Sequence, residues 1–312
     1  MPPVTLSGAL RCNCNRSRPM NLHRLLLDRA AAGRPVRVAL VGAGKFGSMY
    51  LSQARRTPGI HVLAVADLDP ARARASLARV GWEEGRYDAP SLDAAARDGR
   101  TCVTADTAAV LAHPATEVVI DATGNPAAGI EHVLACCRHR KHVVMVNVEA
   151  DALAGPLLAR RAAEAGVVYS LAYGDQPALI CEQVDWARAA GFTVVAAGKG
   201  TKYLPAYHAS TPETVWGHYG FDAKTVAKGD FNAQMFNSFL DGTKSGIEMA
   251  AAANATGLTP APGGLEFPPC GVDDLPRVLK PRAEGGQLDH KGQVEVISSL
   301  ERDGRPVFRD LR

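Results

Sequence analysis

Three lysines in the second half of the chain stand among glycine and threonine, a costly setting for side chains that only solubilise a surface. Lys199 and Lys202 lie in AAGKGTKYLPAYH, and Lys244 lies in LDGTKSG. A lysine in a cleft can donate a proton, polarise a carbonyl or bind a phosphate. Most lysines are solvated surface groups, which is the competing interpretation. We predict that these three act on a substrate, with His208 as a further proton carrier.

The stretch around Lys199 looks like a nucleoside triphosphate loop but lacks two of its features. That loop needs a glycine five residues before its final Gly-Lys pair and Ser or Thr directly after the lysine. Here Thr193 takes the first position and Gly200 follows Lys199. Pro205 soon interrupts any helix. We therefore interpret the stretch as a substrate-facing loop in which Lys199 or Lys202 meets a phosphate, a carboxylate or a developing oxyanion.

A glycine motif near the N-terminus predicts a dinucleotide site. Gly42, Gly44 and Gly47 form G-x-G-x-x-G between an apolar run and a helical pattern. The first glycine allows a tight turn, the second lets the backbone approach a pyrophosphate, and the third allows the helix to pack closely on the strand. Lys45 and Phe46, inside the motif, are included in the predicted cofactor site. An ordinary strand-to-helix turn is the alternative.

The cofactor is expected to be NADP or NAD. Asp67 ends the next apolar run, twenty residues after Gly47, where a carboxylate can accept hydrogen bonds from the adenosine ribose of NAD. DPARARA follows, and Arg72 or Arg74 in it could pair with the 2′-phosphate of NADP.

Two further strand ends are predicted to meet the nicotinamide half of the cofactor. IDATGNP supplies Thr123 and Gly124, and VNVEAD supplies Asn147 and Glu149. If the extended run continues, strand alternation puts Asn147, Glu149 and Asp151 on one face. Two carboxylates on one face could bind a divalent metal or share acid/base work, so Glu149 is a candidate ligand. A capping role at the next helix is the alternative for both carboxylates, and for Asp151 the better one.

Asp175 and Gln176 follow the last predicted sheet strand, where the chain leaves the nucleotide domain. Such a position borders the cleft between domains. Asp175 is also a good cap for the helix that begins near Pro177, so catalysis and capping stay open for it.

The elements that must position these side chains alternate along the first half of the chain. Short β-rich runs are followed by segments with apolar residues at helical spacing, the signature of a parallel sheet covered by helices on both faces. The predicted strands are VRVALVGAG, HVLAVADLD, EVVIDATG, HVVMVNVEAD and GVVYSLAYGD. We predict an α/β chain in which residues 20–176 form a Rossmann-type, doubly wound NAD(P)-binding domain.

The second half, residues 177–312, predicts an α+β domain for substrate binding and oligomerisation. We expect a long helix over FNAQMFNSFLDGTKSGIEMAAAANATG and a C-terminal hairpin that turns at Asp303 and Gly304. Because the chain stops in mid-strand, we expect this domain to be truncated. Residues 1–19 lack an acidic residue and a secretory apolar segment, which predicts a disordered or misassigned tail.

The composition favours a cytoplasmic protein with a small-molecule ligand. Hydrophobic residues make up 46% and charged residues 21% of the chain, as in globular proteins. No apolar run reaches the roughly 18 residues of a membrane span. A net charge of +3 without a basic stripe argues against nucleic acid. Seven cysteines, an odd number mostly in apolar segments, suit a reducing compartment.

With these motifs assembled, the chain resembles the homoserine dehydrogenase-like oxidoreductases, and most closely their deoxyxylulose-phosphate reductoisomerase-like branch. The resemblance runs from about Met20 to the end. It is carried by VALVGAGKFGSMY, HVVMVNVEAD, YGDQPALICEQVDWARAAGFTVVAAGKGTKYLP and FNSFLDGTKSGIEMAAAANATGL. The last three are more specific than the glycine motif.

The resemblance implies an NADPH-dependent conversion of 1-deoxy-D-xylulose 5-phosphate into 2-C-methyl-D-erythritol 4-phosphate, in isoprenoid biosynthesis. It also implies a homodimer and a divalent metal that assists the rearrangement before hydride reduces the aldehyde. GAGKFG differs from the phosphate loop of ordinary reductoisomerases, and Asp67 fits NAD better than NADPH. A homoserine-like or sugar-acid dehydrogenase is therefore the alternative enzyme, and a cofactor-binding sensor or inactive scaffold is the alternative of another class.

Overall fold

The computed structural model describes residues 21–229 and 231–307 of the chain. The predicted tail at residues 1–19 lies outside the described residues, as does the end of the predicted hairpin after residue 307. Within the described part, no helix is both long enough and apolar enough to cross a membrane.

The main sheet confirms the Rossmann prediction. In the described residues it has six parallel strands in the order β3-β2-β1-β4-β5-β6. The strands are β1 (Val36–Val41), β2 (Ile60–Ala66), β3 (Cys102–Thr104), β4 (Val118–Asp121), β5 (His142–Met145) and β6 (Tyr169–Leu171). The order reverses between β1 and β4, and ligands of open parallel sheets bind beyond the carboxyl ends of the strands at such a switch point.

Helices cover both faces of this sheet. They are α1 (Leu22–Ala31), α2 (Lys45–Ala54), α3 (Pro70–Arg79), α4 (Leu92–Asp98), α5 (Thr107–Ala112), α6 (Pro126–His139) and α7 (Val148–Ala165). Successive residues of β1 enter opposite cores, since Ala39 and Val41 pack in one apolar cluster and Val38 and Leu40 in the other. Burial on both faces explains why these strands are continuous apolar runs.

The second part of the chain contains a small two-stranded sheet and six described α-helices, two of which pack against that sheet. The strands β7 (Ala196–Thr201) and β8 (Gln293–Ser298) pair in parallel. The helices are α8 (Gln176–Ala189), α9 (Val215–Tyr219), α10 (Ala223–Lys228), α11 (Ala233–Leu240), α12 (Thr243–Thr256) and α13 (Leu275–Val278). One core joins Ile180 and Val184 of α8, Met249 and Ala252 of α12, and Val296 of β8.

Three predicted elements differ from those observed. The long helix is wrong, because it breaks into α11 and α12 at Gly242, whose φ of +90° does not continue a helix. The extended run VNVEAD is wrong, because β5 ends at Met145 and α7 begins at Val148. The AAGKGT part of the predicted substrate loop is wrong, because it forms β7.

The predicted C-terminal hairpin is found in part. The Asp303–Gly304 turn brings Pro306 into an antiparallel bridge with Leu300, and Gly304 has a φ of +87°. The strand before this turn is β8, which pairs in parallel with β7.

Candidate active site

The glycine loop has the shape that a dinucleotide requires. Gly42 has a φ of +95°, and a Cβ there would lie 2.7 Å from the Ala122 carbonyl oxygen. A Cβ on Gly47 would lie 2.4 Å from the Gly42 carbonyl oxygen, so α2 packs directly against the loop. At Gly44 a Cβ would meet nothing within 4 Å. The first and third glycines are therefore required by packing, and the second faces open space.

The N-terminus of α2 is open to an anion. Its N-cap is Gly44, which has no side chain to accept the amides of the first turn. Those amides and the helix dipole attract negative charge, and a dinucleotide pyrophosphate supplies it. Lys45 and Phe46 begin this turn, and both are exposed. The residues present therefore fit the predicted cofactor.

A matched pair of substitutions separates cofactor contact from packing. We expect Gly44→Ala to weaken cofactor binding about tenfold or more with Tm unchanged, because its methyl group projects where the pyrophosphate approaches. We expect Gly47→Ala to destabilise the chain by about 1–3 kcal/mol, because its Cβ overlaps the Gly42 carbonyl. Calorimetric titration and thermal unfolding measure the two effects. Equal losses of Tm in both variants would contradict the assignment.

Asp67 is buried and fully engaged. Its carboxylate accepts the Ala43 amide at 2.8 Å, the Asp69 amide at 3.0 Å and an Arg72 guanidinium nitrogen at 2.7 Å. Burial raises the pKa of Asp67, but these hydrogen bonds and the positive charge of Arg72 outweigh burial and hold the pKa below its usual value. Asp67 is thus ionised at neutral pH and fixes the glycine loop to the start of α3.

A cationic cavity of about 770 Å³ lies beside the glycine loop. Lys45, Arg72 and Arg79 line it. Arg79 donates hydrogen bonds to the Ser48 and Ser76 hydroxyls at 3.0 and 3.2 Å. Arg74 lies elsewhere, since it donates to the Tyr87 carbonyl at 3.0 Å. Of the two arginines predicted for a 2′-phosphate, the structure places Arg72 at the cavity. The sequence prediction missed Arg79.

A polar network joins the carboxyl ends of β4 and β5. Asp121 is fully buried and accepts the Thr123 hydroxyl at 2.8 Å and a His132 ring nitrogen, Nδ1, at 2.6 Å. The Asn147 amide donates to the Thr123 hydroxyl at 3.1 Å and to the Asn125 carbonyl at 2.7 Å. Two predicted cofactor residues, Thr123 and Asn147, are therefore locked together at the switch-point edge. Gly124, with a φ of +66°, completes the turn.

Asp121 and His132 were not predicted as site residues. Asp121 could have been noticed in the sequence, because it directly follows three apolar residues of a predicted buried strand, where an acidic side chain is unusual. His132 gives no such signal, since its partner appears only when α6 packs on β4.

The prediction that Asn147, Glu149 and Asp151 share a strand face is wrong, because α7 begins at Val148. Asn147 caps this helix by accepting the Ala150 amide. Asp151 is buried and accepts the Tyr169 hydroxyl at 2.7 Å. Burial raises the pKa of Asp151, which that hydrogen bond only partly offsets.

Glu149, the predicted metal ligand, faces a cation. Its carboxylate lies 3.6 Å from the Lys244 ammonium. Across residues 21–229 and 231–307, no group of three or more His, Cys, Asp or Glu side chains is arranged to hold a metal ion. Glu149 thus lies in an ion pair in this structure, and its role as a metal ligand remains a prediction.

Lys199 is the most enclosed of the three predicted lysines. Its ammonium donates to the Gln176 side-chain oxygen at 3.0 Å and pairs with Glu248, and the Lys199 and Glu248 side chains are 14% and 5% exposed. Gln176 begins α8 just beyond β6, and its neighbour Asp175 caps that helix by accepting the Gln176 amide. Lys199 therefore reaches from β7 to the end of the nucleotide domain. Glu248, a lone charge in GIEMAAAANA, was not predicted.

One face of α12 links the two lysine pairs. Lys244 and Glu248 are four residues apart, so their side chains are neighbours on the helix surface. Lys244 meets Glu149 in the first turn of α7, and Glu248 meets Lys199. The polar groups at the carboxyl ends of β4 and β5 thus continue, through α7 and α12, to the enclosed lysine.

Two predicted residues lie apart from this row. Lys202 is exposed and forms no ion pair or side-chain hydrogen bond with another described residue. His208 bonds through Nδ1 to the Asp241 carbonyl at 2.8 Å and packs edge-on against Tyr203 and Phe267. Their predicted roles remain predictions.

Two family models cover most of the chain. Residues 36–146 match the model described as oxidoreductase family, NAD-binding Rossmann fold. Residues 174–308 match the model described as oxidoreductase DRL, catalytic domain. No curated protein matches the chain.

Several solved oxidoreductases share part of the fold. A homoserine dehydrogenase from Thiobacillus denitrificans aligns with 72% of this chain and 50% of its own, at 16% identity and a TM-score of 0.47. DOX-P reductoisomerase in complex with NADPH, fosmidomycin and magnesium aligns with 72% and 59%, at 15% identity and a TM-score of 0.46. An NAD binding oxidoreductase from Klebsiella pneumoniae aligns with 55% and 44%, at 19% identity and a TM-score of 0.39.

The aligned part of this chain spans about half the length of these solved structures.

Proposed function

We propose that this chain, an NAD(P)-dependent oxidoreductase that joins an NAD-binding Rossmann domain of the GFO/IDH/MocA type to a DRL catalytic domain, reduces the carbonyl group of a phosphorylated or carboxylated substrate with NADPH. The reverse oxidation uses the same groups. The observation that carries the proposal is the enclosed Lys199 ammonium, held by Gln176 and Glu248 next to the edge where β4, β5 and β6 end.

NADP is proposed over NAD because of the charges around the adenosine end. Lys45, Arg72 and Arg79 line the cavity beside the glycine loop, and three cations suit a 2′-phosphate. Asp67 already accepts three hydrogen bonds from the protein, which leaves less of its carboxylate for a ribose hydroxyl.

The substrate's anionic group is proposed to meet the start of α12. Its N-cap, Gly242, has no side chain, so only the Thr243 amide is taken, by the Asp241 carboxylate at 2.8 Å, and Lys244 stands in the same turn. A helix N-terminus with a lysine binds phosphate or carboxylate well. The Glu149 carboxylate, 3.6 Å from the Lys244 ammonium, orients that lysine before the substrate arrives.

When bound, the nicotinamide would supply hydride to the carbonyl carbon. Lys199 supplies the proton, because its ammonium hydrogen-bonds the carbonyl oxygen and gives up a proton as negative charge develops there. Glu248 holds the ammonium in place through the ion pair. In the oxidation direction, neutral Lys199 takes the proton of the substrate hydroxyl.

The most specific form of the proposal is reductive isomerisation of 1-deoxy-D-xylulose 5-phosphate to 2-C-methyl-D-erythritol 4-phosphate. It is supported by the DRL match and by the specific stretches around Lys199 and Lys244. The alternative is a homoserine-like or sugar-acid dehydrogenase, which would use Lys199 in the same way. A cofactor-binding sensor is the alternative of another class.

A two-stage experiment distinguishes these functions. Calorimetric titration with NADP⁺ and NAD⁺ measures cofactor affinity, and a substrate panel is then followed at the nicotinamide absorbance. The panel contains 1-deoxy-D-xylulose 5-phosphate with NADPH, and homoserine and sugar acids with NADP⁺. We expect tight NADP⁺ binding and turnover of a phosphorylated or carboxylated member. Tight binding without turnover of any member would favour the sensor.

The proposal also covers the oligomeric state and the location of the protein. We propose a homodimer, supported by the exposed Trp186 and Phe192 and by an apolar cavity of about 740 Å³ that Trp186 lines with residues of β7. A sedimentation velocity that corresponds to the monomer mass would contradict the homodimer.

A cytoplasmic location is proposed from the described cysteines, all of which are free thiols.

A further inference from the structure

A second cationic cavity lies at the amino ends of the strands of the main sheet, on the side opposite the glycine loop. Its volume is about 530 Å³, and it opens where β1 and β2 begin and α2, α3 and α4 end. Arg37, Arg55, Arg86 and Arg97 line it, together with His61. Six residues of β1 separate it from the glycine loop, which is about 20 Å along an extended strand. It is therefore separate from the cofactor site.

Three acidic residues near this cavity are paired with other groups. Glu117 pairs with Arg29 at 3.0 Å, and Asp88 pairs with Arg100 at 2.8 Å. Asp98 pairs with both Arg97 and Arg100 at 2.8 Å.

Three arginines in the wall therefore keep their charge uncompensated. Arg37, Arg55 and Arg86 form no ion pair with another described residue. Glu83 is the one acidic side chain among the described wall residues. The cavity thus holds an excess of positive charge in a concave space, where fields are stronger than on a flat surface.

The ring of His61 lies near this positive charge, and its pKa is shifted. Its ring nitrogen Nε2 bonds the Arg100 carbonyl at 2.8 Å, which favours the protonated ring. Burial, and then the charges of Arg37 and Arg86, nevertheless hold the pKa of His61 below its usual value. Arg37 and Arg86 therefore both lie close enough to act on this ring.

The wall can also contact a ligand of moderate size. Trp82 lines the cavity with its indole nitrogen fixed on the Leu51 carbonyl at 3.0 Å. Arg55 lies over Gly81, where an added Cβ would meet its guanidinium at 3.3 Å. The guanidinium group of Arg55 therefore lies at the wall of the cavity.

We propose that this cavity binds a small oxyanion of two or more negative charges, a phosphate ester or a polycarboxylate, independently of the cofactor and the substrate. Guanidinium groups match both chemistries because their paired donors fit carboxylate and phosphate oxygens. The site is distinct from the proposed active site, so its loss leaves turnover of the substrate panel unchanged in the absence of added oxyanion.

The test uses the full chain saturated with NADP⁺, which fills the cofactor site. Pyrophosphate and citrate are titrated separately by calorimetry at constant ionic strength set with KCl. Trp82 provides a second signal through its fluorescence, and Trp82→Phe shows which part of the change belongs to it. We expect saturable binding of an oxyanion that substitution of the cavity arginines weakens, whether or not a second oxyanion binds at the start of α12. Binding of pyrophosphate alone identifies the phosphate class, and binding of citrate alone identifies the polycarboxylate class.

The matched variants are Arg55→Gln, Arg86→Gln and Arg56→Gln. Arg56 is exposed and neighbours Arg55 but does not line the cavity, so it carries the same charge change without the site. We expect about a tenfold or greater loss of affinity in the first two variants and none in the third. NADP⁺ affinity and Tm confirm that each variant is folded. No saturable binding of either probe, or equal losses in all three variants, overturns the proposal.

Discussion

Replacing Lys199 with arginine is expected to lower turnover by about 100-fold or more, because general acid catalysis contributes factors of that order. Arginine keeps the positive charge that pairs with Glu248, but it does not release a proton at physiological pH. Affinity for NADP⁺ is expected to stay unchanged, because the residues predicted to bind the dinucleotide all precede β6, whereas Lys199 lies on β7. Steady-state kinetics and calorimetric titration measure the two effects.

The choice of arginine matters because Lys199 belongs to an enclosed ion pair. With an uncharged residue at this position, Glu248, whose side chain is 5% exposed, would be a buried carboxylate without its partner. Breaking such a pair costs about 3–5 kcal/mol. Loss of turnover in Lys199→Met would then report unfolding as readily as chemistry, and thermal unfolding of the arginine variant checks that this has been avoided.

Lys202→Arg is the matched comparison. Lys202 is three residues away on the same segment, is exposed, and has no side-chain partner among the described residues. We expect its substitution to change turnover less than threefold, within the scatter for surface groups. Normal turnover in Lys199→Arg, with a large loss in Lys202→Arg, would transfer the proton-donor role to Lys202.

The nucleotide domain could be predicted closely from the sequence because its signals are local. Strands buried on both faces are continuous apolar runs, and G-x-G-x-x-G follows one of them directly. The prediction missed β3, which has only three residues. It also extended β5 too far, because VNVEAD reads as a strand until Asn147 is recognised as a helix cap.

The catalytic half was predicted less well because its contacts are remote in sequence. Lys199 and Glu248 are 49 residues apart and meet only because α12 packs on the small sheet. The role of Gly198 likewise depends on a contact that is remote in sequence. From the sequence, this glycine is interpreted as part of an anion-binding loop, yet a Cβ there would lie 1.7 Å from the Glu295 carbonyl oxygen. Close pairing of β7 with β8, which no single segment reveals, is what requires it.

Arg72→Ala is expected to weaken NADP⁺ binding by about 10- to 100-fold, since a hydrogen bond to a charged group is worth about 1.5–3 kcal/mol. Binding of NAD⁺, which has no 2′-phosphate, is expected to change little. The substitution also removes the ion pair with Asp67, but the carboxylate keeps its hydrogen bonds from the Ala43 and Asp69 amides, so the glycine loop keeps its anchor. Calorimetric titration with both dinucleotides measures the ratio.

Arg74→Ala is the control because it makes the same change two residues along α3. Its guanidinium donates to the Tyr87 carbonyl and does not line the cavity beside the glycine loop. We expect the affinities of Arg74→Ala for NADP⁺ and for NAD⁺ each to equal those of the parent chain. If Arg72→Ala instead lowers the two affinities together, Arg72 acts only by holding Asp67. If it strengthens NAD⁺ binding and leaves NADP⁺ binding unchanged, the freed Asp67 carboxylate binds the ribose and the chain prefers NAD.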